Sequence, residues 1–349
     1  MNFMKNIKGI EGDYIETKDH NLFFDIKGLF HPNDRKICFL RFYPHPEGDR
    51  IKKGIKFKKV YDLEERYSLL RTKYPKYLFF SEELDLEVQG VKNHDIKKIY
   101  TPRECLKNLE KKENLSNVEK YSKSLCEFFI NKGGISKNSI GITGSTMVGL
   151  DKDDSDIDII VYGTETSLNF QENLNLLLDE SNNFRKYNLK EFRSHYTWRV
   201  GGSDILFEVF MKSDQRKLHQ GKYRNYDYFI RYIKSPEDWN GDFYDYQYKN
   251  LGRIKLKARI LDSKDSIFTP CSYKIKPLKV LDKKSVLNKV KLKDILEINS
   301  FRARFCEHAK DGETVLVEGK LEKVNYKNKL EYYRVLLTDQ TKDKMLIIN

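Results

Sequence analysis

The sequence predicts an α+β protein in which a central mixed segment lies between smaller β-rich ones. Three observations lead there. Short β-branched and aromatic runs punctuated by turn residues fill 1–103 and 251–349, which read as a β-rich segment with a helix and a second β-rich segment. Helical spacing with strong caps enters from 104 and alternates with strands to 250. Aromatic residues are 13% of the 349, with 22 Tyr and 21 Phe, which is the composition of packed cores rather than of disorder.

In the first segment, residues 21–27 and 36–43 read as strands. Gly28, the run from His31 to Asp34, and residues 44–48 bound them as turns. Residues 51–60 alternate, with Ile55 and Phe57 on one face and Lys56 and Lys58 on the other, and predict a half-buried strand with a basic outer face. A helix over 63–74 stops before Pro75. In the centre, Ser116 and Glu119 match a capping box for a helix through Ile130, ended by Gly133 and Gly134. A strand over 139–143, a small-residue turn at Gly144-Ser145, an apolar strand over 157–162 broken by Gly163, and a helix over 168–178 follow. Residues 204–219 fit a helix capped by Ser203 and closed by Gly221, while 204–210 also fits a strand. A strand over 226–233 and an aromatic loop over 236–245 close the segment. Beyond it, 253–261, 313–324, 331–337 and 345–348 read as consecutive short strands of a small barrel or sandwich, an OB-like barrel among the solutions.

Composition narrows the function. Net charge is +13, from 65 Lys and Arg against 52 Asp and Glu, and favours a polyanionic partner; a Lys-rich or thermophilic proteome is the bland alternative. The five cysteines form no C-x-x-C pair, so reduced, buried thiols are expected. No apolar run approaches a membrane helix, and the first ten residues are too polar for a secretory segment, which predicts a cytoplasmic protein with no membrane partner. The seven histidines lack metal-ligand spacing, and His195 and His219 read as surface or helix-end residues. There is no Walker A run, no G-x-G-x-x-G and no G-x-S-x-G.

The stretch with chemistry in it is Gly141-Ile-Thr-Gly-Ser-Thr-Met-Val-Gly149, followed by Ser155-Asp-Ile-Asp-Ile-Ile-Val161. A strand ends at a Gly-Ser turn, where backbone can approach a phosphate without a Cβ in the way, and a short helix opens after it. Alternation puts Asp156 and Asp158 on one face of the next strand, and Ile157 and Ile159 on the other, toward a core. Two carboxylates held so close repel unless cations intervene, and hard divalent ions, Mg²⁺ or Mn²⁺, answer that need. The ordinary reading of the same residues is a capped turn entering a structural strand.

This Gly-Ser turn, with Gly149 and the Asp-x-Asp strand, resembles the signature of the DNA polymerase β-like nucleotidyltransferase superfamily, over residues 139–163. The whole chain further resembles uncharacterised archaeal proteins named for such a domain, at 27–32, 216–221 with 228–231, and 267–271. The first resemblance implies a central polymerase β-like domain over 104–250. It implies that Gly144 and Ser145 hold the phosphates of a nucleoside triphosphate, and that Asp156 and Asp158 bind two metal ions. It also implies a third carboxylate on the next core strand, for which Asp227 ranks first, with Asp204 and Glu208 behind it if 204–210 is the strand. Arg231, in a Tyr- and Arg-rich run that also holds Arg224, is a candidate for a substrate phosphate. The basic run from Arg50 to Lys59 could track a phosphate backbone or be a solvated strand face.

The function expected from this is metal-dependent transfer of a nucleoside monophosphate to a hydroxyl acceptor, with charge favouring a nucleic acid 3′ end in DNA or RNA. Two alternatives stand beside it. One is a non-catalytic nucleic-acid binder with a degenerate core; the other is a modifier that nucleotidylates (AMPylates) a protein.

Overall fold

A computed structural model describes residues 8–178, 183–283 and 290–348. Residues 1–7 of the opening stretch, read above for a secretory signal, lie outside it. The fold is α+β. The chain groups into two compact units where the sequence gives three segments. One holds Met1–Ser81, Leu86–Arg185 and His219–Phe243; the other holds Glu82–Asp85, Lys186–Leu218 and Tyr244–Asn349.

The first unit opens with a sheet of β1 (Tyr14–Thr17), β2 (Phe23–Ile26), β3 (Arg35–Pro44), β4 (Arg50–Lys52) and β5 (Ile55–Lys59). After α1 (Leu63–Lys73) come β6 (Leu78–Ser81), β7 (Leu86–Lys92) and β8 (Ile96–Tyr100). The order is β4-β5-β3-β2-β1-β8, with β7 pairing β3 and β6. Phe24, Ile26, Leu40, Val60, Leu70 and Tyr77 fill its core. The stretch predicted as one strand over 51–60 is a hairpin instead. Lys53 and Gly54 both take positive φ, 49° and 76°, as the tightest hairpin turns require. The strand therefore reverses, and Phe57 is buried while Ile55 stays exposed.

Then follow α2 (Pro102–Lys111), α3 (Asn117–Lys132), β9 (Ile140–Ile142), α4 (Gly144–Val148), β10 (Ile157–Tyr162) and α5 (Thr164–Leu177). Ser116 and Glu119 form the capping box of α3, and Gly133 caps its end. With β11 (Phe184–Arg185), and later β12 (Gln220–Tyr223) and β13 (Tyr226–Ile233), these strands form a second sheet in the order β11-β12-β13-β10-β9, in which β10 and β13 run parallel. Phe129 of α3 packs on Phe170 of α5 at 4.9 Å and on Phe184 at 5.3 Å, closing one face of this sheet.

In the second unit, α6 (Leu189–Val200) and α7 (Phe207–Asp214) precede a barrel. The strand alternative for 204–210 is overruled: Phe210 packs with Phe192 and Val200 of α6, and a helix presents that face. Ser203 is not its cap; Leu206 precedes the first turn. The barrel is built of β14 (Tyr246–Asp262), β15 (Cys271–Lys283), β16 (Ile295–Ser300), β17 (Thr314–Tyr326) and β18 (Leu330–Leu337), with β19 (Lys344–Ile347) added to β17. The ring closes in the order β14-β15-β16-β18-β17-β14, and β16–β18 is parallel. Leu256, Ile260, Tyr273, Ile298, Val317 and Val335 fill it.

All five cysteines are free and buried. The His195 side chain is 8% exposed and His219 is 1% exposed, so both leave the surface positions read for them. Among the described residues no helix is long and apolar enough to cross a membrane.

Candidate active site

The parallel register sets Ile157 beside Tyr228, Asp158 beside Phe229 and Ile160 beside Arg231. Alternation along both strands then places Asp158 of β10, with Asp227 and Arg231 of β13, on one face of the second sheet, and Asp156, the residue just before β10, lies close enough to Asp158 and Asp227 to feel their charge. Ile157 and Ile159 are fully buried on the other face.

Gly144 explains how the turn meets this face. Its φ is +73°, and a Cβ built there would fall 2.2 Å from Asp158 Oδ2, so a side chain is excluded by both conformation and space. The Thr143 amide donates to the Asp158 carbonyl at 2.9 Å, and the Thr143 hydroxyl donates to the Gly12 carbonyl at 2.5 Å. Ser145 is buried directly after the glycine, and none of the described residues bonds to its hydroxyl.

Neither the Asp156 nor the Asp158 carboxylate takes a hydrogen bond or an ion pair from any described residue. Partial loss of solvation, then repulsion from Asp158 and Asp227, raises the Asp156 carboxyl from its usual range to about 6, even though the residue is exposed at the edge of the recess. Burial likewise raises Asp158, while Lys59, Arg231 and Arg41 pull it the other way without closing an ion pair. Lys59, at the end of β5, is pushed down to about 8 by its own desolvation and by Arg41. Arg41 buries its Nε without a hydrogen-bond partner.

The basic run from Arg50 to Lys59 thus divides. Lys52 donates to the Val148 carbonyl at the end of α4, where cations are favoured, and Arg50 to the Leu150 carbonyl just beyond the helix. Lys59 Nζ lies over the Tyr61 ring at 4.7 Å and is close enough to Asp158 to favour its charged form. Lys53, Lys56 and Lys58 remain exposed.

Two of the sequence candidates are already engaged. Arg231 Nη1 lies 2.6 Å from Glu11 Oε1 and 3.9 Å from Asp25 Oδ1, so its partly buried guanidinium is already engaged by these acids rather than open to a phosphate. Asp227 accepts from Lys222 at 2.8 Å, its partner across β12 and β13, and keeps 44% of its side chain exposed. Asp204 is exposed and paired with Lys344, and Glu208 is exposed on α7, so neither is on a strand. Arg224 stacks its guanidinium over Tyr121 at 5.1 Å.

The sequence reading missed Arg41, Glu11 and Asp25. One signal was available: Arg41 is the lone charge in the apolar run from Ile37 to Tyr43, and a solitary cation there faces something acidic.

The donor set fits a hard divalent cation in one particular way. Two unengaged carboxylates supply oxygen ligands, but among the described residues no three His, Cys, Asp or Glu side chains converge to hold an ion. Mg²⁺ is commonly held this way, by one or two carboxylates with the rest of its sphere from water and substrate phosphates.

No family model matches the chain, and no solved structure matches it. It is similar to an uncharacterized protein of Methanocaldococcus jannaschii, MJ1086, with 26% identity over 333 residues that cover 93% of this chain and 94% of that one.

Proposed function

We propose that the protein is a nucleotidyltransferase with a polymerase β-like core, moving a nucleoside monophosphate from a nucleoside triphosphate to a hydroxyl acceptor. The observation that carries this reading is the Asp158 carboxylate lying against the Cα of Gly144, with Asp156 beside it and no protein group closing either acid. A structural carboxylate in such a recess would be paired.

In this reading Asp156 and Asp158 hold Mg²⁺ or Mn²⁺, which supplies charge neutralisation for the triphosphate and the departing pyrophosphate. Gly144 lets the Asp158 carboxylate come up against the turn, and the free Ser145 hydroxyl bonds to the phosphate chain. The acceptor oxygen attacks the α-phosphorus, pyrophosphate leaves, and the hydroxyl proton passes to a carboxylate. Asp227 is the third acid for that step, released from Lys222 when substrate arrives. Lys59 and Arg41 face the same recess and add positive charge where the triphosphate would lie. Net charge of +13 favours a nucleic acid as acceptor.

A second reading draws on the Lys222–Asp227 pair: with its third acid neutralised, the site would bind nucleotide without turning it over. Incubation of the full chain with each α-labelled nucleoside triphosphate, Mg²⁺ or Mn²⁺, and DNA, RNA or protein acceptors separates the two. Label transfer with pyrophosphate release, lost in Asp156→Asn/Asp158→Asn, supports transfer. Nucleotide binding without release supports the second reading.

A further inference from the structure

The geometry points to the outer face of the β14–β15 hairpin as a binding surface for single-stranded nucleic acid. In the register of these antiparallel strands Lys257 lies directly opposite Lys279, and Arg259 opposite Lys276. All four side chains are exposed, and none forms an ion pair with any described acidic residue. Like charges directly across a strand pair are destabilising, so a sheet that carries two such pairs in succession gives up stability for them. The flanking rows do otherwise: Lys255 pairs with Glu318 at 3.7 Å, and Lys274 with Asp262 at 2.9 Å. Acidic neighbours are thus present on the barrel and stop short of these four positions.

A polyanion is the partner that turns this repulsion into attraction. On β14, Lys257 and Arg259 stand two residues apart, about 6.7 Å at ~3.3–3.4 Å per residue, a step that an extended single-stranded phosphate backbone can follow. Leu261, 55% exposed, and Leu278, 48% exposed, continue the face with apolar surface for unstacked bases. The inference goes beyond the proposed transfer, because binding here needs neither Asp156 nor Asp158.

The test is fluorescence anisotropy of a labelled single-stranded 20-mer, in DNA and RNA forms, with the full chain. Lys257→Glu/Lys276→Glu converts both like-charge pairs into opposite-charge pairs, so its melting temperature should hold or rise. Its affinity should fall at least tenfold at 100 mM salt. The charge-matched control Lys107→Glu/Lys120→Glu, on α2 and α3, should lose less than threefold. The wild-type dependence of log K on log salt should include a contribution of about −2.8 from four phosphate contacts, at −0.7 each, that the first variant lacks. Equal losses in the two variants, no loss in the first, or tighter binding to a duplex or to 70:30 phosphatidylcholine/phosphatidylserine vesicles would overturn the proposal. Assaying Asp156→Asn/Asp158→Asn alongside keeps the readings apart. Oligonucleotide held on this face without nucleotide transfer by wild type supports the surface and sinks the enzyme, whereas transfer with unchanged binding in Lys257→Glu/Lys276→Glu does the reverse.

Discussion

Asp214 in the second unit is buried and Asp158 in the first is partly buried, each with cations nearby, yet they are held in opposite ways. Lys217 Nζ lies 3.0 Å from Asp214, and His195 Nε2 lies 3.6 Å away. Lys217 also donates to the Arg304 carbonyl at 2.6 Å. Burial would raise the Asp214 carboxyl, but Lys217 and His195 more than reverse it and hold it well below the usual range. Around Asp158 the cations stand off, burial dominates, and the carboxyl is raised. One cluster is closed by its own partners and is architecture. The other leaves its carboxylate without a hydrogen-bond or ion-pair partner among the described residues.

The largest expected effect breaks the closed cluster. Lys217→Met leaves Asp214 buried without its ammonium partner and should cost about 3–5 kcal/mol in urea unfolding at pH 7. Because the folded Asp214 carboxyl is held below its unfolded value, the wild type has this stabilisation in full above pH about 4 and loses it progressively as the pH falls further. The variant's urea midpoint should therefore vary less than the wild type's below pH about 4.

Next is Gly144→Ala. Positive φ and the clash with Asp158 Oδ2 should together cost about 2–3 kcal/mol, read by thermal unfolding, and should abolish any nucleotide transfer.

Asp156→Asn should have the opposite sign. The folded carboxyl titrates at about 6, above its unfolded range, so wild-type stability falls as pH rises between about 4 and 6. Removing the charge should stabilise the protein at pH 7. Solvent contact limits the gain to about 1 kcal/mol, and it should vanish near pH 4. A melting series against pH for variant and wild type checks both sign and window.

The smallest stability change belongs to Asp227→Asn, which removes a partly exposed pair and should move unfolding by less than about 0.5 kcal/mol. If Asp227 is the third acid, transfer should nonetheless fall by orders of magnitude in a single-turnover assay.

Local rules carried much of this architecture in the sequence. The Ser116 capping box, Gly133, the apolar strand over 157–162 and the Gly144-Ser145 turn each follow from neighbours within a few residues, and each lies where local chemistry puts it. What escaped depends on distant partners. The hairpin at Lys53-Gly54 hid inside an alternating pattern, because alternation is blind to a turn that preserves it. The helix at 207–214 was decided by packing on α6, which 204–210 alone does not encode. In the site, the Asp156–Asp158 face was legible from strand alternation. Its cationic surroundings were not, because Arg41 and Lys59 arrive from strands about a hundred residues earlier. The engagement of Arg231 by Glu11, 220 positions away, was beyond any spacing rule.

The central claim is that Asp156 and Asp158 form an uncompensated seat for a divalent cation shared with a triphosphate. Titrating Mn²⁺ into the full chain, with the free ion followed by electron paramagnetic resonance and a non-hydrolysable nucleoside triphosphate analogue present, tests it most directly. The account predicts saturable binding that weakens at least tenfold in Asp156→Asn/Asp158→Asn. Equal Mn²⁺ affinity in the two proteins, or no binding by the wild type with the analogue present, would contradict it.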